Sequence, residues 1–276
     1  MAHKNPVQRQ PGGVADPQVL AAIMALVDAK PGPHPLVLGL CGAQGSGKST
    51  LAAAMVDAAR VRGLAAATLS LDDLYLTRAE RAVLARETHP LLATRGVPGT
   101  HDVALGLDLL ARVDAGQAVH LPRFDKAADD RVPQAESDAA PAPLDLLVFE
   151  GWCVGAVAED QAALVDPVNA LEAAEDAAGR WRQWVNAQLA GDYQRLFARL
   201  DALVLLAAPG FEAVFDWRLE QERAGAGVMD APEIARFIQH YERLTRHILA
   251  EMPGRADLVI RLDRDRTAVG IVSRSS

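Results

Sequence analysis

The chain has 276 residues, half of them hydrophobic and 23% charged, which gives room for one large α/β domain with a full core. Its 36 acidic against 28 basic side chains, a net charge of −8, exclude phosphate-backbone binding as the main activity, so no nucleic acid is expected as a partner. No apolar run reaches the roughly 18 residues of a membrane span and the N-terminus lacks a charged-then-apolar signal pattern, so no membrane partner is expected either.

Residues 1–16 are polar and contain Gly and Pro, which predicts a flexible tail ahead of a single domain over 17–276. Helical spacing of Val19, Leu20, Ile23, Met24, Leu26 and Val27 predicts a helix over 16–30, stopped by Pro31-Gly32-Pro33. Residues 35–41 are nearly all apolar, as in a strand of a parallel sheet covered on both faces. That run breaks into Gly42-Ala43-Gln44-Gly45-Ser46-Gly47-Lys48-Ser49-Thr50, and an Ala-rich helical stretch follows to about Arg62. Strands are predicted at 66–71, 118–121, 144–149, Ala202–Ala207 and Leu258–Leu262, and helices at Val103–Asp114, 180–199 and 232–250. Residues 122–143, dominated by Asp, Ala and Pro, read as a loop. Strands alternating with helices predict an α/β fold with a mostly parallel, doubly wound sheet flanked by helices. Cys41 and Cys153 lie far apart without metal-ligand spacing and read as reduced thiols of a cytoplasmic protein.

Gly42 to Ser49 matches G-x-x-x-x-G-K-S, placed between an apolar strand and a helix. The glycines let successive backbone N–H groups curl toward phosphate oxygens, and the following helix adds its positive dipole end. Residues 42–50 are therefore the expected ATP site, with Lys48 on the β- and γ-phosphates and the Ser49 oxygen on Mg²⁺.

The next strand runs into Asp72 and Asp73 at the rim where parallel strands gather their C-terminal ends. A carboxylate there can take a hydroxyl proton or help hold Mg²⁺, although Asp also commonly caps the next turn. The apolar strand ending in Glu150 has the form of a Walker B strand, with the acid reaching the Mg²⁺ shell. Between them, 89–102 is cut by two glycines and two prolines and offers Arg95 and His101 as donors. Asp102 is read as the N-cap of the helix from Val103. In 122–131 the charges alternate in sign, which equally suits a salt-bridged surface loop. Arg218 and Arg223 follow the fourth main strand, where a cationic lid over about 209–230 could neutralise phosphoryl charge, with Gly225-Ala226-Gly227 as its hinge.

The succession GAQGSGKST, LSLDDLYLT, HPLLATRGVPGTHD, LPRFDKAADDR and FEGW resembles the D-glycerate 3-kinase family, within the P-loop kinases that include uridine kinase, phosphoribulokinase and bacterial pantothenate kinase. The resemblance spans about 35–266; the phosphate loop is widely shared, whereas the third and fourth motifs are particular to this branch. It implies a P-loop NTPase fold with a helical lid and transfer of the ATP γ-phosphoryl group to a small acceptor, D-glycerate first among candidates. It also implies Asp72 as catalytic base with Lys48 and Arg218 on the moving phosphoryl group, and Ser49, Glu150 and Asp72 around Mg²⁺. Asp73, Tyr75, Arg95, His101, Asp125, Lys126 and Arg131 are the implied acceptor contacts. Phe124 stands where the related kinases carry a tyrosine, so no hydroxyl is available there. A nucleoside, pantothenate or another sugar acid remains an alternative acceptor, and a nucleotide-switched binding protein an alternative class.

Overall fold

A computed structural model of the chain describes residues 13–30, 32, 35–224 and 229–274. The expected tail lies largely, and the expected hinge at 225–227 wholly, outside the described residues. Six strands form one sheet: β1 (Leu36–Gly42), β2 (Ala66–Ser70), β5 (Leu146–Gly151), β6 (Ala202–Ala207), β7 (Leu258–Leu262) and β8 (Ala268–Ser273). Their order is β2-β5-β1-β6-β7-β8, parallel except for β8, which runs antiparallel to β7.

Side-chain alternation explains why both faces are covered. Val37, Cys41, Leu147, Phe149, Leu205 and Val259 enter one buried cluster. Their neighbours Leu38, Leu40, Val148, Val204, Leu206 and Ile260 enter another. Successive residues of a strand point to opposite faces, so a continuous apolar run makes two cores, not one. Helices α1 (Pro17–Asp28), α2 (Lys48–Val61) and α8 (Phe211–Ala224) supply Ile23, Leu51, Met55, Val214 and Trp217 to the second cluster. Helices α4 (Val103–Asp114) and α7 (Asp192–Phe197) supply Leu109, Leu110, Leu196 and Phe197 to the first. The long α9 (Ala231–Glu251) serves both, through Ile234 and Ile238 on one side and Tyr241, Leu244 and Ile248 on the other.

Three predicted elements differ. The strand expected at 118–121 is reduced to an isolated bridge between His120 and Ala139, because Leu121 and Ala140 pair only within their own loop. The helix expected over 180–199 is two: α6 (Arg180–Ala190) stops at Gly191, whose ψ of −116° leaves the helical region, and α7 restarts beyond it. The loop at 122–143 contains a two-residue hairpin, β3 (Phe124–Asp125) with β4 (Asp130–Arg131), turned by Asp129 at a left-handed φ of 56°.

Candidate active site

The phosphate loop hangs between β1 and α2, and its conformation depends on its glycines. Gly45 and Gly47 hold positive φ of 74° and 87°, and a Cβ on Gly42 would lie 2.8 Å from Ser46 Oγ. Within the loop Ser46 N–H donates to Ala43 O, and the first turn of α2 opens with Lys48. Ala43 is packed into the core below, while Thr50 faces an outer depression shared with Trp217 and Arg266. Arg266 Nε donates to Gly45 O over 2.7 Å, and its guanidinium lies 5.5 Å from the Trp217 ring, so the C-terminal hairpin clamps the crest of the loop.

Gln44, Gly45, Lys48 and Ser49 line a cleft whose far wall is made by the ends of β2 and β5. The sheet register puts Glu150 level with Leu40 on one side and Ser70 on the other. Ser49 Oγ donates to Glu150 Oε1 over 2.9 Å. Glu150 is only 4% exposed, and its second oxygen, Ser46 Oγ and Gln44 Oε1 are buried with no hydrogen-bond partner among the described residues. Buried polar atoms left unmet are costly. Their concentration at the mouth of a phosphate loop fits a Mg²⁺-nucleotide: metal-bound waters could donate to the Glu150 and Gln44 oxygens, and a phosphate oxygen could accept from the Ser46 hydroxyl. Among the described residues no cluster of three or more His, Cys, Asp or Glu could hold a metal by itself, so a metal here would depend on such added oxygens.

Asp72 stands in a short 3₁₀ turn directly after β2 and lines the same cleft. Lys126 Nζ donates to its Oδ2 over 2.6 Å, and the Tyr75 hydroxyl to its Oδ1 over 2.8 Å. Burial alone would raise this carboxyl; the ammoniums of Lys126 and Lys48 and these two hydrogen bonds outweigh it and bring the pKa down to about 2. An ammonium already on Oδ2 opposes a second cation, so the arrangement disfavours Asp72 as a metal ligand. Tyr75 stacks on His101 at 4.7 Å and meets Phe124 edge-on at 5.2 Å, and burial pushes its phenol well above the usual range.

A further wall of the cleft is made by the loop carrying Arg95. Trp152 Nε1 donates to Gly96 O over 2.8 Å and the Tyr241 hydroxyl to Arg95 O over 2.9 Å, so two aromatic side chains pin the carbonyls of two successive peptides, Arg95–Gly96 and Gly96–Val97. Gly96 has φ 132°, and a Cβ there would fall onto the Tyr241 hydroxyl. Arg95 Nη1 donates to Asp129 Oδ1 over 2.5 Å, with Phe124 beside its guanidinium at 5.7 Å. The other Asp129 oxygen accepts from Arg81, which is 1% exposed and also donates to Leu76 O. Opposite, on α8, Arg218 lines the cleft, paired with Glu222 at 2.6 Å and set 5.7 Å from Phe237.

Four expected acceptor contacts lie outside the cleft. Asp73 accepts from Phe124 N–H and Arg123, fixing β3 to the turn after β2; burial raises its carboxyl against the pull of those two partners. Asp125 is exposed and accepts from the N–H groups of Ala127 and Ala128, shaping the hairpin turn. Arg131 donates to Tyr75 O and to Asp102 Oδ2, while Asp102 Oδ1 caps α4 at Leu105 N–H. His101 is buried against Tyr193 at 2.6 Å, and burial drops its pKa to about 3, so it is neutral. These four brace the walls instead of lining them. Arg223 is exposed and takes no part in the lining. Conversely Ser70, Trp152, Gln221, Phe237 and Tyr241 line the cleft without having been singled out.

No family model matches the chain. It is 34% identical over 245 residues to the uncharacterised kinase mug58 of Schizosaccharomyces pombe, covering 81% of this chain and 85% of that one. It is 30% identical to the chloroplastic D-glycerate 3-kinase of Arabidopsis thaliana, covering 85% of this chain and 54% of the plant protein. Its fold superposes on the structure of a D-glycerate 3-kinase from Cryptococcus neoformans with a TM-score of 0.77 at 27% identity, over 95% of this chain and all of that one. With the phosphate loop, the acid-ended strands and these relatives agreeing, the chain belongs to the D-glycerate 3-kinase family of P-loop kinases.

Proposed function

We propose that the protein transfers the γ-phosphoryl group of Mg²⁺-ATP to the 3-hydroxyl of D-glycerate. The observation that carries this reading is the company Asp72 keeps: one cleft holds it with Lys48 and Ser49 on one side and the cations Arg95 and Lys126 on the other. An acceptor suited to that cleft offers a hydroxyl to a carboxylate and an anionic group to cations, and glycerate carries both.

Lys48 and the loop amides would hold the β- and γ-phosphates, and Ser49 with Glu150 would hold Mg²⁺, which when bound supplies positive charge to the phosphate oxygens. Asp72 orients the 3-hydroxyl and takes its proton. As the hydroxyl oxygen bonds to the γ-phosphorus, the bond from phosphorus to the β,γ-bridging oxygen breaks and ADP leaves. Arg218, released from Glu222, would neutralise charge on the moving group. Cys41 and Cys153 are free and buried, which supports a reducing, cytoplasmic setting. Among the described residues no helix is long and apolar enough to cross a membrane.

The test is ADP release from Mg²⁺-ATP with D-glycerate beside nucleosides, pantothenate and other sugar acids. Strong stimulation by D-glycerate alone is expected. Stimulation by another compound instead would replace the acceptor, and slow hydrolysis that no acceptor accelerates would favour a nucleotide switch.

A further inference from the structure

Lys126 differs from the other cations of the cleft. Arg95 is anchored to Asp129, itself held by buried Arg81, and Arg218 is held by Glu222. Lys126 sits in the β3–β4 turn with its side chain 59% exposed, and its ammonium reaches back to Asp72 Oδ2 over 2.6 Å. The Tyr75 hydroxyl takes the other oxygen, so both oxygens of Asp72 already hold a donor. We propose that Lys126 is a specificity-determining gate on Asp72: without an acceptor it occupies the carboxylate, and an acceptor bearing its own anion draws it away. This rests on the kinase reading above with Asp72 as base.

The physical case has three parts. An ion pair with one partner this exposed is weak and exchanges readily, and a lysine is a point charge on a flexible four-carbon stem, free to follow an incoming carboxylate. Arg95 lies within reach of the same turn, its Nη2 3.5 Å from Lys126 O, so a carboxylate arriving there meets a fixed guanidinium and a mobile ammonium together. Moving the ammonium off Oδ2 also restores proton affinity to Asp72 when the acceptor hydroxyl is present. Water brings no anion. In the closed gate the competing step, in which water gives its proton to Asp72 while its oxygen bonds to the γ-phosphorus and ADP leaves, is suppressed. A neutral alcohol such as glycerol has the hydroxyl but cannot open the gate.

The experiment measures ADP release from Mg²⁺-ATP by the wild type, Lys126→Ala and Lys126→Arg, with no acceptor, with D-glycerate and with glycerol. Without acceptor, Lys126→Ala is expected to hydrolyse ATP roughly ten-fold faster, because the base is freed toward water. With D-glycerate, its kcat/KM is expected to fall roughly ten-fold, mainly through KM, and the preference for D-glycerate over glycerol to shrink. Lys126→Arg keeps the charge in a different geometry and is expected to raise acceptor-free hydrolysis by less than Lys126→Ala does. Unchanged or slower acceptor-free hydrolysis in Lys126→Ala would overturn the gate and leave Lys126 an ordinary acceptor contact. If D-glycerate fails to stimulate even the wild type, the acceptor assignment falls, while the acceptor-free comparison still decides the gate.

Discussion

Ser49 Oγ donates to Glu150 Oε1 over 2.9 Å, joining the start of α2 to the end of β5 across the floor of the cleft. Glu150 Oε2 is left buried and unmet by any described residue. This pair is the expected seat of the metal. Glu150→Gln is expected to lower kcat by roughly 10²-fold and to raise the Mg²⁺ concentration needed for half-maximal rate, since it removes charge where phosphate charge must be balanced. A Mg²⁺ titration checks it; an unchanged midpoint would remove Glu150 from the metal shell.

In the proposed reaction Lys48 and Asp72 divide the remaining chemistry. Lys48→Ala is expected to cost at least about 10² in turnover through loss of a preorganised charge on the phosphates. Asp72→Asn is expected to cost about 10² to 10⁴ in kcat while nucleotide affinity is retained. Steady-state rates beside a nucleotide-binding titration separate the two, and an unaltered kcat in Asp72→Asn would send the base role elsewhere.

Gly96 is fixed by both conformation and space, with φ 132° and the Tyr241 hydroxyl where a Cβ would stand. Gly96→Ala is expected to lower stability by at least about 1 kcal/mol from the backbone conformation alone. It should also raise KM for the acceptor, because Arg95 is the preceding residue. Tyr241→Phe loses one hydrogen bond to Arg95 O and should cost about 1 kcal/mol. Thermal unfolding and acceptor kinetics on the two variants test this; wild-type values for Gly96→Ala would refute the steric account.

Burial holds His101 and His240 neutral, lowering their pKa values to about 3 and about 4. In the unfolded chain each takes up a proton near pH 6.5. Between these values the unfolded state binds more protons, so stability falls as pH drops from about 6.5 to about 4. Each histidine should contribute about 2 kcal/mol of loss by pH 5. Denaturant midpoints at pH 7 and pH 5 measure the loss, and replacing both histidines by glutamine should flatten it; an equally steep fall in the double variant would contradict this cause.

Much of the nucleotide side was legible because its signals are local. The phosphate loop needs its glycines at fixed spacing, and apolar runs ending at Asp72 and Glu150 put those acids at one rim of a parallel sheet. The acceptor side was less so. In a loop, residue type does not say which way a side chain turns: Lys126 enters the cleft, whereas Asp125 closes its own turn and Arg131 ties the hairpin to Tyr75 and Asp102. Phe237 and Tyr241 come from α9, far along the chain, and their helical spacing reads as ordinary core periodicity. Asp129, which bridges Arg81 and Arg95 from a left-handed backbone, carried no signal beyond its place in a charged run. The edge strand β8 was missed although Ala268 to Val272 is an apolar run: it is half exposed, and Gly270 in its middle weakens the strand signal.

The central claim is tested most directly by ³¹P NMR of the product formed from Mg²⁺-ATP and D-glycerate. The account predicts 3-phosphoglycerate in step with ADP. Inorganic phosphate as the only new phosphorus species beside ADP, or a phosphate ester at the 2-hydroxyl, would contradict it.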